Sequence, residues 1–150
     1  MELRVPPLVV ALLIGAAIYC LPLAAPSLNH DFPGRIGIAA SLLLAGIAVA
    51  VAGVLEFRRA RTTVDPRYPE SSTSIVTSGI YRRTRNPMYL GFLLWLLAGA
   101  AFLANPLTLA GPIAFVAYMN RFQIRPEERA LAARFGSPYE SYLARVRRWI

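Results

Sequence analysis

Lysine is absent from this 150-residue chain, and cysteine and histidine occur once each. All 16 basic residues are therefore arginine, set against eight acidic residues, for a net charge of +8. The lone Cys20 excludes a disulfide framework, and one cysteine with one histidine excludes the usual zinc-ligand sets. Cys20 lies in an apolar run and reads as a small hydrophobe. His30, beside Asp31 in a short loop, reads as a solvated turn residue rather than a base. Polar residues are also scarce. The chain is 56% hydrophobic with a mean hydropathy of +0.47, above the share of about 45–50% usual in soluble domains. That excess excludes an ordinary soluble domain and assigns the chain, a single domain by length, to a bilayer. Arginine alone among the cations carries no functional weight, since a GC-rich genome produces the same bias.

Four apolar runs follow one another: residues 5–25, 36–57, 88–104 and 107–118. The first two match the span of about 20 residues that crosses a bilayer. A cleaved signal peptide competes for the first, given Arg4 ahead of it and Leu23-Ala24-Ala25 near its end. Glu2 opposes Arg4, however, and a second apolar run follows almost at once, so a span is expected. In the second run small residues recur at helical spacing, as Gly37, Ser41 and Ala45 and as Gly46, Ala50 and Gly53. Such rows admit a close neighbour in lipid, and the first helix is the expected partner. The fourth run falls short of a full span. It is expected to continue as helix through Met119, Asn120 and Arg121, with a kink near Gly111-Pro112.

Charge sets the orientation. Seven arginines lie between residues 58 and 87 and seven more follow Met119, leaving only Arg4 and Arg35. Four helices with both termini cytoplasmic put Arg35 alone outside, as the positive-inside rule requires. The predicted fold is an all-α polytopic membrane protein of about four transmembrane helices with cytoplasmic C-terminal amphipathic helices. Residues 1–57 form a helix pair, 58–87 a cytoplasmic connector rich in Thr, Ser and Pro through Thr73, and 88–150 a helical hairpin with its C-terminal helices.

Residues 74–89 stand apart, crowding Gly, Pro, three Arg, two Tyr and an Asn between apolar segments. Thr77-Ser78-Gly79 predicts a turn. Asn86-Pro87 predicts a helix start, Asn as N-cap and Pro at the first helical position, where its missing N–H costs nothing. Arg85, Asn86 and Tyr89 then sit where a membrane helix emerges, beside an N-terminus that favours negative charge. A simple inner-leaflet boundary of Arg and Tyr would have the same composition. In the tail, Pro126-Glu127-Glu128 predicts a helix start with acids in the first turn, Leu131 and Phe135 on one face, and Gly136 as its end. From Pro138 the positions Tyr139, Tyr142, Leu143, Val146 and Ile150 fall at helical spacing. They predict an amphipathic helix on or under the membrane, or one that only closes the cytoplasmic face.

Several motifs occur in one order: Thr77-Ser78-Gly79-Ile80-Tyr81, Arg85-Asn86-Pro87-Met88-Tyr89-Leu90-Gly91, Asn105-Pro106, Glu127-Glu128, Phe135-Gly136 and Tyr139-x-x-Tyr142. Together they resemble the isoprenylcysteine carboxyl methyltransferase family, especially its bacterial members, and more distantly the phospholipid N-methyltransferases. The likeness covers residues 63–150. It implies an integral membrane enzyme, in a bacterial inner membrane, that uses S-adenosyl-L-methionine without a Rossmann domain. The lack of a G-x-G-x-x-G fingerprint agrees with that. It further implies a cofactor pocket lined by Ser74, Ile75, Val76, Tyr81, Arg85, Asn86, Pro87, Met88, Tyr89 and Glu127. Tyr81 and Tyr89 offer aromatic faces to a sulfonium or a base, Arg85 can meet a carboxylate, and Glu127 can accept from hydroxyls or an amine. The acceptor implied is a small lipophilic molecule delivered by the bilayer. No metal and no nucleic acid is called for.

Two departures from the family pattern stand out. Many eukaryotic members have His where this chain has Asn86. They also carry a substrate-holding Arg four residues before the position of Glu127, which here is Gln123. Arg121 and Arg125, on either side of it, are the candidates to hold an anionic acceptor in its place. Steroid 5-alpha-reductase-like enzymes, which bind NADPH in a related helix bundle, form the alternative, with a non-catalytic membrane protein behind it.

Overall fold

The computed structural model describes residue 3 and residues 5–61 and 74–150. Arg4, Arg67 and the linker expected through Thr73 lie outside the described residues. All regular structure among the described residues is helical: α1 (Pro7–Ala24), α2 (Arg35–Arg59), α3 (Pro87–Leu103), α4 (Ala110–Tyr118), α5 (Arg125–Phe135) and α6 (Ser137–Arg145). Two of them, α1 with 18 residues and α2 with 25, are long and apolar enough to cross a membrane; α3 is apolar but shorter.

The small residues of α2 meet α3, not α1 as expected. A Cβ on Gly46 would stand 2.9 Å from the Gly91 carbonyl oxygen, and one on Gly91 would stand 2.7 Å from that of Gly46. Two turns further along α2, Gly53 lies against Pro87. The two helices are therefore antiparallel and in backbone contact, which only glycine on both sides permits. The first helix packs elsewhere. Its Val10, Ala11 and Ile18 are buried instead in a core with Leu96, Phe115 and Met119, and it also packs on α4, where a Cβ on Gly111 would fall 2.4 Å from Ile18. The other row, Gly37, Ser41 and Ala45, faces outward.

The kink expected at Gly111-Pro112 falls at the start of a helix rather than inside one. Pro112 sits in the first turn of α4, after a 3-10 turn over Pro106–Leu109, and first-turn N–H groups have no helical partner to lose. The irregularity falls further on, in a π turn over Met119–Ile124 that joins α4 to α5 without leaving helical backbone angles. There the Arg125 N–H donates to Asn120, five residues back. Pro126, expected to open a separate helix, lies just past this turn. It carries no N–H for the Phe122 carbonyl four residues before it, and that oxygen accepts from the Leu3 N–H at 3.1 Å instead.

The tail departs from expectation as well. Helix α6 stops at Arg145, and Val146 turns extended, with φ −122° and ψ 135°. Residues 146–150 then form a strap back to the start of α3. The Arg85 N–H donates to the Arg147 carbonyl (3.0 Å), and the Thr84 hydroxyl and Asn86 Nδ2 both donate to the Arg148 carbonyl (3.1 and 3.0 Å). These tertiary bonds satisfy backbone carbonyls that a helix end would leave without an intrahelical partner.

Candidate functional site

Helices α3, α5 and α6, the segment 74–81 and the end of α2 converge at the end of the bundle that carries most of the arginines. They surround a cavity of about 100 Å³, lined by Phe57, Ser74, Ile75, Val76, Tyr81, Arg85, Asn86, Met88, Tyr89, Ile124, Glu127, Glu128, Leu131, Tyr139 and Tyr142.

One wall is the segment 74–82. Gly79, at φ +55°, makes the turn that swings the chain into a 3-10 helix over Gly79–Arg82. This aims Tyr81 inward, edge-on to Phe57 of α2 with ring centroids 5.4 Å apart. The Tyr142 hydroxyl donates to the Tyr81 carbonyl at 2.8 Å and ties α6 to the same wall. Burial raises both phenols above their usual range, so both are held as neutral rings.

The opposite wall is α5. Its Glu127 accepts from the Tyr89 hydroxyl, 3.0 Å from each carboxyl oxygen, and from the Gln123 side chain. The π turn sets this up by putting Gln123 and Ile124 on the buried side. Single-turn π segments frequently mark functional sites, because they re-aim side chains that a regular helix would scatter. Burial pushes the Glu127 carboxyl up to about 8; the bonds from Tyr89 and Gln123 oppose that rise and the neighbouring Glu128 adds to it. Next to it, Glu128 pairs with Arg85 (2.9 Å) and with Arg148 of the strap (2.6 Å). The Trp149 indole N–H donates to Asn120 in the π turn at 3.2 Å, so the strap is tied to both α5 and the turn before it.

The start of α3 differs in detail from expectation. Asn86 occupies the N-cap position and Pro87 the first turn, but the Asn86 side chain makes no capping bond. It reaches the strap instead, and its own N–H donates to Thr84 Oγ1 at 3.2 Å. The strap thus receives the side chain that helix capping would have used.

Nine of the ten residues expected to line a pocket surround this cavity. Pro87 does not: it is fully buried under Gly53. Arg121 and Arg125 are exposed and do not line the cavity either. Sequence reasoning overlooked Phe57 and Leu131 on the walls, and the strap residues Arg148 and Trp149. It placed Tyr139 and Tyr142 on the apolar stripe of a helix on or under the membrane, or one closing the cytoplasmic face; both are buried, at the cavity. Their i, i+3 spacing behind Glu127-Glu128 was the available signal. Among the described residues no three His, Cys, Asp or Glu side chains cluster to hold a metal ion.

Residues 35–138 match the phospholipid methyltransferase family, a stretch that takes in α2 through α5 and all of the cavity lining except the two α6 tyrosines. The chain belongs to that family. Its relatives include a probable protein-S-isoprenylcysteine O-methyltransferase of Oryza sativa subsp. indica, 32% identical over 119 residues, which is 77% of this chain and 58% of that protein. The protein-S-isoprenylcysteine O-methyltransferase of Saccharomyces cerevisiae is 35% identical over 80 residues, 51% of this chain and 32% of that protein. An uncharacterized protein of Haemophilus influenzae is 46% identical over 63 residues, 42% of this chain and all of that one. The chain therefore spans no more than about 58% of the named isoprenylcysteine methyltransferases described above. No solved structure matches significantly.

Proposed function

We propose that the protein is an S-adenosyl-L-methionine-dependent methyltransferase that spans the membrane four times, with both termini cytoplasmic, and methylates a small lipophilic acceptor. The observation that carries this reading is the cavity itself, which gathers an aromatic pair, a buried carboxyl and an arginine at a helix N-terminus. Its lining fits the cofactor chemically. Ser74 Oγ and Arg85 Nε are buried there without a hydrogen-bond partner, and such groups are costly unless something else satisfies them. Arg85 and the α3 N-terminus suit a carboxylate. Glu127, held uncharged by burial, would regain its charge beside a cation.

Bound there, S-adenosyl-L-methionine supplies a methyl on a cationic sulfonium; the acceptor's nucleophilic atom takes the methyl and the sulfur keeps the C–S electron pair. The protein's own part is alignment and exclusion of water. Tyr81, Tyr139 and Tyr142 wall off the cavity, and the Glu128 ion pairs hold α5 and the strap against Arg85. An acceptor that is already ionised, such as a carboxylate, needs no general base. A hydrophobic tail would enter from the lipid side of α3 and α4, and the exposed Arg121 and Arg125 would hold an anionic head group at the surface.

Binding of S-adenosylhomocysteine to detergent-purified protein tests the reading: it should raise the thermal midpoint while NADPH leaves it unchanged. If Glu127→Ala and Tyr89→Ala both keep full affinity, the cavity is not the site. Reporter fusions at Asn105 and after Ile150 should report opposite sides of the membrane; one shared compartment rules out four spans.

A further inference from the structure

Glu56 is an unusual residue for its place. It lies in the last turns of an otherwise apolar helix, where the macrodipole disfavours a carboxylate, yet it is buried. Its two carboxyl oxygens are both engaged. One accepts from Arg59 of its own helix at 2.7 Å, and the other accepts from the hydroxyl of Ser78, 22 residues away on the cavity wall. The next residue, Gly79, presses directly on it: a Cβ there would fall 2.5 Å from the Glu56 carboxyl carbon. The residue after Glu56, Phe57, lines the cavity and packs on Tyr81.

We propose that Glu56 is a positioning residue for the cavity, a carboxylate latch that fixes the Ser78-Gly79 turn to α2 and thereby sets Tyr81 and residues 74–76 at the distance a bound ligand needs. The alternative is a merely structural helix-end carboxylate. The geometry argues against it, because among the described residues the hydrogen bond from Glu56 that leaves α2 goes to the turn that leads into Tyr81 on the cavity wall. Gly79 then has two reasons to be glycine, its positive φ and the carboxylate beneath it. The inference rests on the cavity being the cofactor site, but the latch itself is a property of α2 and the turn.

The test is calorimetric affinity for S-adenosylhomocysteine, with hydrogen exchange of the amides in residues 74–82. Glu56→Ala and Ser78→Ala should each weaken binding about tenfold, near the low end of what one hydrogen bond to a charged group is worth. The double variant should be no weaker than the worse single one, because both remove the same contact. Exchange should speed up in residues 74–82 and stay unchanged in α3. Ser78→Thr, which keeps the hydroxyl, should restore affinity, a rescue that a general loss of stability would not give. Should Glu56→Ala unfold the protein, Ser78→Ala and Ser78→Thr decide alone, since they leave α2 and the Arg59 pair intact. Unchanged affinity in Ser78→Ala, with Glu127→Gln weakened, overturns the latch and leaves the site standing. Unchanged affinity in Glu127→Gln as well, or no binding by the unmodified protein, overturns both.

Discussion

The contact of α2 with α3 and the contact of α3 with α5 meet on the same helix, four residues or less from one another, and hold by opposite means. At Gly46 and Gly91 nothing polar is exchanged: two backbones touch because neither residue has a side chain. At Tyr89 and Glu127 a phenol and a carboxyl bond across the cavity edge. The first contact sets where the helices are and tolerates no added atom. The second tolerates substitution and sets what the cavity can bind. Stability is expected to sit with the glycines and affinity with the polar pair, and the two should separate on mutation.

The largest effect should come from Gly91→Leu. Its side chain has no room between the Gly46 carbonyl and Ala50, whose Cβ would be 2.8 Å from the first added atom. Overpacking of this kind costs about 1–3 kcal/mol, and here it opposes two backbones rather than a flexible side chain. The thermal midpoint in detergent should fall by many degrees, whereas Gly37→Leu on the outward face of the neighbouring helix should leave it unchanged. Equal behaviour of the two would mean that α2 and α3 do not pack in this way.

Next in size is Glu127→Ala, expected to weaken S-adenosylhomocysteine binding by about 2 kcal/mol, or roughly thirtyfold, with the thermal midpoint nearly kept. A large fall in the midpoint instead would make Glu127 a packing residue and erase the contrast with Gly91.

A pH dependence follows from the same carboxyl. Its pKa rises from the usual 4.5 to about 8 on folding. Its contribution therefore favours the folded protein below about 4.5 and is lost as pH climbs toward 8. Binding of a cationic ligand should work in the other sense, strengthening up to about tenfold per pH unit as pH rises toward 8 and releasing a proton. Titrations in buffers of different ionisation heat measure that proton, and Glu127→Gln should abolish it. A flat pH profile for S-adenosyl-L-methionine would separate the carboxyl from the ligand.

The smallest effect is assigned to Arg148→Ala. Glu128 keeps Arg85 as its partner, and the strap keeps its backbone bonds to Arg85, Thr84 and Asn86. A loss of about 1 kcal/mol is expected, within the ordinary range for a part-exposed ion pair. It should appear chiefly as faster hydrogen exchange in residues 146–150. A loss as large as that of Glu127→Ala would place the strap among the ligand-holding parts.

Much of this molecule is written in local sequence. Apolar length gave the long helices, Asn86-Pro87 the start of α3, Gly79 its turn, and Gly136 the break between α5 and α6, because each depends on a few adjacent residues and on backbone rules that hold anywhere. The motifs around residues 74–89 and 127–142 likewise marked the ends that would meet. The partner of a contact was not written there. Gly46 and Gly53 announced that a helix would come close, but small residues fit any small-faced neighbour, and the complementary Gly91 lay beyond a long connector. Asn86 was read as a cap because its nearest donors are its own helix's N–H groups. The strap, 62 residues away, offered a carbonyl instead. The helical spacing of Tyr139, Tyr142, Val146 and Ile150 described an amphipathic face without saying whether lipid or protein would cover it, and hydrogen bonds from residues 84–86 to the strap carbonyls ended the helix at Arg145. Periodicity and caps are decided within a turn or two of chain; a buried carboxyl such as Glu127 gains its phenol, its neighbours and its raised pKa only when distant helices remove the water between them.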